Sequence, residues 1–432
     1  MKKLLLISYY WPPAGGPACQ RILSFARYLP EYNWKVVVLT VSNGDYPVRD
    51  ESLKNIIPPD CPVYKTITRE PFSLYRKFLG LKKEEKIPVA VLAQQNCNWK
   101  KQFANWIRLN LFVPDARKGW IKHAVKKGKE IVEHEKPDLI LSSSPPPSVH
   151  LIAEQLAEFA QVPWVTDFRD PWTRIHYYQK NRNSFTEFLD LQLEKRILRN
   201  CSGIVSASKG FAELLSIPSQ KKYRVITNGY DEPDFPEEKK ISPFFRIVHT
   251  GSLSPNRFDQ KIFLILKELI DRKEIPSEKL EIILIGKIDE NIHRKITAFL
   301  PVNIIKFKPF AAHNQALQVM QNAELLLLFT ENIPGYKGHL PAKMFEYLFT
   351  GNFIIGTGDS DSEAAEILSE TGHGMISNDL NKISGKIKEL FELWEKKEYP
   401  VLSPEQTEKY TRKNLSARLA EYLDDLVAES RD

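Results

Sequence analysis

The feature that most constrains the fold is an alternation of short apolar runs with stretches of helical periodicity. In the first half of the chain, the runs Lys3–Ser8, Lys35–Thr40 and Trp164–Asp167 are bounded by turn residues and separated by helix-like segments such as Val149–Ala160. Short apolar runs that alternate with helices are typical of parallel strands joined by helical crossovers. Because such crossovers are right-handed, the pattern predicts a doubly wound α/β sheet.

The alternation stops once and then begins again, which predicts two domains. Residues 230–243 (YDEPDFPEEKKISP) are charged, contain prolines and lack periodicity, as expected of a linker. We predict an N-terminal Rossmann-like domain over 1–232 and a C-terminal one over 243–403. Residues 404–432 are predicted to form a helix that packs back on the N-terminal domain. Two further helices are predicted, at Gln20–Pro30 and Lys261–Arg272. The other predicted strands are Leu139–Ser142, Gly203–Ser206, Arg224–Ile226, Arg246–His249, Leu280–Ile285, Ile304–Phe307, Ala323–Phe329 and Phe353–Ile355.

The composition favours a cytoplasmic globular protein. Apolar residues make up 42% and charged residues 27%, and the net charge of +7 is smaller than expected of a dedicated nucleic-acid binder. The four cysteines lie far apart without metal-ligand or redox spacing, which indicates a reducing compartment. The apolar run Leu4–Ile7 is too short for a signal peptide, and no run of about 18 apolar residues could cross a bilayer.

Two loops of the N-terminal domain are candidate ligand sites because they follow predicted strands. Gly15 and Gly16 lie between the first strand and the first helix, where the backbone can approach a ligand and free N–H groups can bind an anion. Asp167, Arg169 and Asp170 follow another strand and could bind sugar hydroxyls or act as acid or base. The alternatives are a simple tight turn and a structural ion pair.

Two segments of the C-terminal domain carry a stronger signal. In HTGSLSPNRFDQK, Gly251 allows close approach, and Arg257 and Lys261 could clamp a diphosphate. In ENIPGYKGHLPAKMFEYLFTGNFIIG, Lys343 lies in the first turn of a predicted helix and Glu346 about one turn later. Such a glutamate could bind two ribose hydroxyls while Lys343 holds the phosphates. The alternatives are solvated cations and a surface Lys-Glu pair.

The remaining motifs exclude a zinc site and suggest a surface contact. The histidines form no zinc-binding pattern, no Walker lysine motif occurs, and His150 is interpreted as a core residue. Residues 72–83 and 99–129 combine aromatic side chains with lysines and arginines. This combination suits peripheral contact with an anionic membrane surface such as the inner face of the plasma membrane. A core-facing aromatic stripe with a solvated basic back is the alternative.

Taken together, the motifs resemble those of family 4 retaining glycosyltransferases of the GT-B fold, a large group of bacterial cell-envelope enzymes. The resemblance spans nearly the whole chain. It is carried by SYYWPPAGGPACQRILSFARYL, VPDARKGW, SSSPPPSVHLIA, DFRDPW, ITNGYD, HTGSL and LPAKMFEYLFTGNFII. It implies two Rossmann-like domains with the active site in the cleft between them.

The resemblance also implies roles for individual residues. Asp170, Arg257 and Lys343 are the expected catalytic residues, with Asp170 only a loose match. The expected donor-binding residues are Gly15, Gly16, Gly251, Ser252, Lys261, Gly338, Leu340, Pro341 and Glu346. The family's usual E-x7-E pair would place its first glutamate at position 338, where this chain has Gly338. Lys337, His339 or backbone amides are the candidates to replace that glutamate.

The expected activity is transfer of a sugar from a UDP- or GDP-linked donor, with retention of configuration, as in a hexosyltransferase of cell-surface polysaccharide synthesis. The acceptor is expected to be a glycan or a lipid-linked saccharide, with no metal or other cofactor and no nucleic acid involved. One alternative is a sugar-nucleotide 2-epimerase of the same fold. The other is a catalytically degenerate scaffold that binds glycans or partner proteins.

Overall fold

A computed structural model describes residues 1–71, 99–176, 178, 181–231, 242–309, 313–330, 336–399 and 402–430. The chain divides into two compact units: Met1–Thr227 with Arg412–Asp432, and Asn228–Thr411. The predicted boundaries at 232 and 404 lie near these two crossings but do not coincide with them.

The strands of the first unit form a parallel sheet in the order β3-β2-β1-β4-β5-β6-β7. They are β1 (Lys2–Ser8), β2 (Trp34–Val41), β3 (Val63–Thr66), β4 (Leu139–Ser144), β5 (Trp164–Phe168), β6 (Gly203–Ser206) and β7 (Tyr223–Val225). Because β1 pairs with β2 on one side and β4 on the other, the chain order reverses beside β1. Open α/β sheets bind ligands at such a point. The sequence did not predict β3, whose residues are only partly buried.

The helices of the first unit include the C-terminal one. They are α1 (Pro17–Tyr28), α2 (Trp99–Asn110), α3 (Ile121–Glu135), α4 (Ser148–Ala160), α5 (Ser184–Asn200), α6 (Lys209–Leu214) and, from the other end of the chain, α13 (Arg412–Glu429). Asp424 of α13 accepts hydrogen bonds from Lys2 Nζ at 2.7 Å and Trp34 Nε1 at 2.8 Å. Leu419 and Leu423 are buried in the same core. The last helix therefore completes the first unit.

The second unit repeats the architecture with a parallel sheet in the order β10-β9-β8-β11-β12-β13. Its strands are β8 (Phe245–Thr250), β9 (Leu280–Ile285), β10 (Ile305–Lys308), β11 (Leu325–Phe329), β12 (Phe353–Thr357) and β13 (Gly374–Ser377). Its helices are α7 (Lys261–Asp271), α8 (Glu290–Phe299), α9 (His313–Gln321), α10 (Ala342–Phe349), α11 (Glu363–Glu370) and α12 (Leu380–Glu395). The order reverses between β8 and β11, so the loops after these two strands meet. The predicted doubly wound α/β fold is thus present in both units.

The predicted C-terminal helix begins later than its periodicity indicated. Residues 404–411 form two short 3-10 turns, and α13 begins only at Arg412. Tyr410 is buried in the second unit, where its ring centroid lies 5.4 Å from that of Phe345. Thr407 is also buried and its hydroxyl contacts Tyr230 Oη at 3.2 Å. These contacts attach the segment to the second unit.

A buried ion pair joins the elements around β1. Arg21 of α1 and Asp167 of β5 are both buried, and the guanidinium contacts both carboxylate oxygens, at 2.7 and 3.2 Å. Arg21 also donates to the Thr227 carbonyl at 2.7 Å, and Ser143 Oγ donates to Asp167 at 2.6 Å. The sequence suggested Asp167 as a sugar ligand or catalytic group. Its carboxylate instead stabilises the fold through its bonds to Arg21 and Ser143.

We expect Arg21→Met to lower the free energy of unfolding by about 3–5 kcal/mol, because it leaves Asp167 buried without its cation. Arg196→Met is the matched control. Arg196 is half-exposed and pairs with Glu154 at 2.9 Å, so its loss should change stability by roughly 0–1 kcal/mol. Denaturant unfolding of both variants tests the prediction, and equal effects would contradict it.

Candidate functional site

The candidate site of the second unit lies where the chain order of the sheet reverses. The HTGSL loop follows β8, and α10 follows the loop after β11. Tyr347 of α10 is buried, and its hydroxyl accepts the Thr250 N–H at 3.0 Å. This bond fixes α10 against the end of β8, although sequence reasoning did not identify Tyr347.

Lys343 occupies the centre of this site. Its ammonium donates to the Thr250 carbonyl at 2.8 Å and lies 3.5 Å from His249 Nε2. A Cβ atom at Gly251 would lie 3.1 Å from Lys343 Nζ, and Gly251 has a φ of +110°. A side chain at 251 would therefore strain the backbone and crowd the ammonium. Burial first, and then the charge of Arg257, lowers the pKa of Lys343 to about 7.

The charges around Lys343 include one further cation and one carboxylate. Arg257 is close enough to lower the pKa of both Lys343 and His249. Glu346 lies one turn along α10, and its negative charge raises the pKa of Lys343. The spacing of Lys343 and Glu346 thus places both on the face of α10 that adjoins the end of β8. Two cations beside a glycine loop at a helix start form an environment suited to a diphosphate.

The next loop of the sheet supports the glycine turn. Gly251 N–H donates to the Ile285 carbonyl at 2.7 Å. The Gly251 carbonyl packs so closely on Gly286 that a Cβ at 286 would come within 2.3 Å of it. The turn after β8 is therefore held from two sides.

Two further predicted donor-binding residues, Ser252 and Lys261, follow Gly251 in the chain. Lys261 begins α7, where its backbone N–H donates to Asp259 Oδ1 at 2.9 Å and its ammonium lies 3.7 Å from Oδ2 of the same residue. Ser252 is exposed. The pairing with Asp259 explains the position of Lys261, and its role in phosphate binding stays a prediction.

The loop before α10 contains the other predicted donor-binding residues. Gly338, Leu340 and Pro341 are buried, and Pro341 precedes the first helical residue. Lys337 is exposed and forms an ion pair with Asp361, while its carbonyl accepts the Glu363 N–H at 3.1 Å. The loop is therefore anchored to the start of α11. Among the candidates to replace the glutamate expected at 338, Lys337 thus has an exposed ion pair with Asp361.

The glycine loop of the first unit is a closely packed turn. Gly15 N–H donates to the Val48 carbonyl at 2.9 Å, and a Cβ at Gly15 would lie 3.0 Å from Val48 Cγ1. Gly16 precedes α1 with a φ of +86°, a conformation that favours glycine. The two glycines are thus required by the turn, and whether they also contact a donor stays a prediction.

The polar residues at the end of β5 and just after it, Asp167, Arg169 and Asp170, separate into structural and candidate groups. Arg169 is buried and donates to the carbonyls of Ser144 at 2.9 Å and Pro145 at 2.8 Å. Like Asp167, it fixes the ends of neighbouring strands. Asp170 is only partly buried, and its charge acts on Arg169. Of the three residues, Asp170 alone keeps its candidate role.

The VPDARKGW motif also has a structural role in the first unit. Both Asp115 oxygens bind Ser148 at the start of α4, one accepting its N–H at 2.8 Å and the other its hydroxyl at 3.1 Å. Arg117 lies over the Tyr9 ring, 4.8 Å from its centroid. Arg117 belongs to the segment 99–129 that the sequence suggested as a basic membrane-contacting surface. Its guanidinium instead lies beside Tyr9 and Tyr10, away from solvent.

His150 lies in the core of the first unit, as its sequence context suggested. It is fully buried, and its Nδ1 contacts Ser142 Oγ at 2.8 Å. Burial lowers the pKa of His150 to about 3, so the ring is neutral at physiological pH.

Comparisons with known proteins agree with this architecture. Residues 20–232, just under half of the chain, match the family model described as Glycosyltransferase Family 4. The sequence matches none of the curated proteins. The structure is similar to HepE of Anabaena solved in complex with UDP, with a TM-score of 0.64, 16% identity, and coverage of 98% of this chain and 100% of that one.

Two further solved structures are similar over nearly their whole length. Sucrose-phosphate synthase from Thermosynechococcus elongatus has a TM-score of 0.60 at 16% identity, covering 99% of this chain and 100% of that chain. The apo form of the lipopolysaccharide outer core galactosyltransferase WaaB has a TM-score of 0.56 at 11% identity, covering 98% and 99%. The two parallel-sheet units are those of the GT-B fold, and the family 4 match falls almost wholly on the first unit.

We expect Lys343→Met to change stability in a pH-dependent way. The pKa of Lys343 is about 7 in the folded protein, against about 10.4 for an ordinary lysine. Between these values the unfolded chain binds more protons, so Lys343 makes the free energy of unfolding rise with pH. Replacing it should therefore raise the unfolding temperature more at about pH 6.5 than at about pH 9.5.

The matched control is Lys267→Met, a lysine on α7 whose side chain is 43% exposed. Its effect on the unfolding temperature should be the same at both pH values. Calorimetry of both variants gives the comparison. A Lys343→Met effect that does not change with pH would contradict the assignment of a buried ammonium.

Proposed function

We propose that the protein is a glycosyltransferase that takes a sugar from a nucleotide diphosphate, with the nucleotide bound by the second unit. One observation carries this proposal: beside a glycine turn where the sheet order reverses, the partly buried Lys343 bonds the Thr250 carbonyl and lies close enough to Arg257 and Glu346 for both charges to act on its pKa. A buried cation is unfavourable unless an anion joins it. The UDP complex of the similar protein HepE supports a nucleotide as that anion.

Each residue of this cluster has a distinct part in the proposed reaction. Lys343 and Arg257 bind the diphosphate and stabilise the negative charge that develops on it as the glycosidic bond breaks. The Gly251 turn contributes space: its own N–H is bonded to the Ile285 carbonyl, but without a side chain at 251 the same phosphates can approach the backbone closely. Glu346 accepts hydrogen bonds from the two ribose hydroxyls. In this assignment the two side-chain cations take the place of a metal ion.

We extend the proposal to the donor, the stereochemistry and the acceptor of the reaction. We expect a UDP- or GDP-linked hexose donor, retention of anomeric configuration, and a glycan or lipid-linked acceptor of cell-surface polysaccharide synthesis. The similarity to WaaB, a lipopolysaccharide galactosyltransferase, supports an acceptor of this kind. Gly15, Gly16 and Asp170 are the candidate residues of the first unit, and NMR of the product would report the anomeric configuration.

Two other functions fit the same fold and give different products. A sugar-nucleotide 2-epimerase would convert the donor without an acceptor and would leave a changed sugar. A degenerate scaffold would bind but release no nucleotide. Incubation with UDP- and GDP-sugars, with and without acceptor glycans, separates the three. Nucleotide release that depends on the acceptor supports the transferase.

We expect Glu346→Ala to weaken the affinity for UDP or GDP by about 10- to 100-fold, because hydrogen bonds to a carboxylate are lost. Glu366→Ala is the matched control, since Glu366 is exposed on α11 and should not contact the nucleotide. Isothermal titration calorimetry measures both. Unchanged affinity of the Glu346 variant would show that the ribose is not bound there.

We further propose that the first unit contacts an anionic membrane surface. Phe103 and Trp106 of α2 are 49% and 48% exposed, with parallel rings whose centroids are 6.4 Å apart. Asn183, just before α5, donates its N–H to Asn110 Oδ1 at 2.7 Å. The two helix ends therefore adjoin, and α5 adds Phe185 and Phe188, which are 70% and 56% exposed.

The first unit also carries exposed cations in the predicted membrane segment 99–129. Lys122 and Lys126 of α3 are exposed, and exposed lysines attract anionic headgroups. Residues 72–83, the other predicted membrane segment, lie outside the described residues, as do the side chains of Lys100 and Lys101. Among the described residues, no helix is long and apolar enough to cross a membrane.

We expect the protein to sediment with vesicles of anionic phospholipid at low salt and to dissociate as salt rises. Replacing Phe103 and Trp106 by serine should reduce the bound fraction. Phe244→Ser removes a comparably exposed aromatic residue of the second unit and should have no effect. Absence of binding at low salt would contradict the proposed contact.

A further inference from the structure

His249 is a buried histidine whose two ring nitrogens have different partners. It is fully buried at the end of β8, with its ring centroid 4.9 Å from that of Phe329. Nδ1 lies 2.9 Å from the Leu327 carbonyl of β11. Because a carbonyl can only accept, Nδ1 carries the proton and Nε2 holds a lone pair. Nε2 is the nitrogen that lies 3.5 Å from Lys343 Nζ.

The neutral state of this ring is what allows the contact. Burial first, and then the charge of Lys343, holds the pKa of His249 well below its usual value. A protonated imidazole would repel the ammonium, whereas the neutral tautomer accepts from it. The cations near the ring are Lys343 and Arg257, and the carboxylate near Lys343 is Glu346.

Two acceptors therefore constrain the ammonium of Lys343. The Thr250 carbonyl, at 2.8 Å, and His249 Nε2 take two of its three N–H groups. Among the residues that the structure describes, these are the hydrogen-bond partners of Lys343. The third N–H is left for a ligand beside the Gly251 turn.

We propose that His249 is a positioning residue, which holds the Lys343 ammonium beside Gly251 and so directs it at the diphosphate of the bound nucleotide. The inference rests on the nucleotide-binding function proposed above. It assigns to the histidine of the HTG segment a part in donor binding without any contact to the donor. The Leu327 carbonyl selects the tautomer, and the tautomer places the lone pair toward the lysine.

Two amide substitutions separate the roles of the two ring nitrogens. In His249→Asn the amide N–H₂ can replace Nδ1 and keep the bond to Leu327, but the acceptor for Lys343 is lost. In His249→Gln the longer side chain can place its carbonyl oxygen near the position of Nε2. We expect the asparagine variant to bind UDP about tenfold more weakly and the glutamine variant within about threefold of wild type.

A double-mutant cycle distinguishes positioning from a general structural effect. If His249 acts through Lys343, His249→Asn should cause no further loss of UDP affinity in the Lys343→Met protein. Calorimetric unfolding temperatures of all variants show whether each remains folded. A further loss in the Lys343→Met background, or equal losses for asparagine and glutamine, would overturn the proposal.

A second readout needs no nucleotide. With lysine labelled at 13Cε, the Lys343 signal is assigned by its absence in Lys343→Met. A held side chain keeps its two Hε resonances distinct, and a mobile one merges them. We expect distinct resonances in wild type and His249→Gln, and merged ones in His249→Asn.

The two readouts keep the two proposals separable. Wild-type protein that binds neither UDP nor GDP refutes the proposed function, and the NMR comparison still decides the position of Lys343. Merged Hε resonances in the wild type would overturn the positioning role, even if His249→Asn failed to fold. Equal spectra in both amide variants would also overturn it.

Discussion

The partial burial of Lys343 beside the end of β8 is the constraint on which the candidate site depends. A lysine removed from water loses solvation, which the Thr250 carbonyl and the neutral His249 ring replace only in part. The conformations of the residues around Lys343 follow from the need to hold its ammonium at this position. Gly251 must lack a side chain, and Tyr347 must fix the helix that presents the lysine. An arrangement that raises the free energy of the folded protein and concentrates positive charge is the pattern expected of the ligand site proposed above.

The first unit uses its buried charges in the opposite way. Arg21 and Asp167 satisfy each other, and Arg169 donates to two strand-end carbonyls. These groups hold the carboxyl edge of the sheet together. Asp170 and the glycine turn are the residues of this unit that keep the candidate role proposed for them.

The sequence predicted the elements well where a single segment determines them. The buried strand Leu280–Ile285 has the predicted bounds, and the spacing of Lys343 and Glu346 on one helix needs only local periodicity. Contacts made by tertiary packing could not be predicted in this way. Arg21 lies 146 residues before Asp167 in the chain. The role of His249 depends on a carbonyl of β11, a strand that only the sheet order places beside β8.

The most direct test of the proposed pairing between Lys343 and the diphosphate is the number of protons that the protein takes up when UDP binds. Lys343, with a pKa of about 7, is largely neutral at about pH 8 and must be protonated to pair with the diphosphate. Titration calorimetry at that pH in buffers of different ionisation enthalpy gives the proton uptake. We predict uptake approaching one proton in the wild type and none in Lys343→Met. Binding without proton uptake, or the same uptake in both proteins, would contradict it.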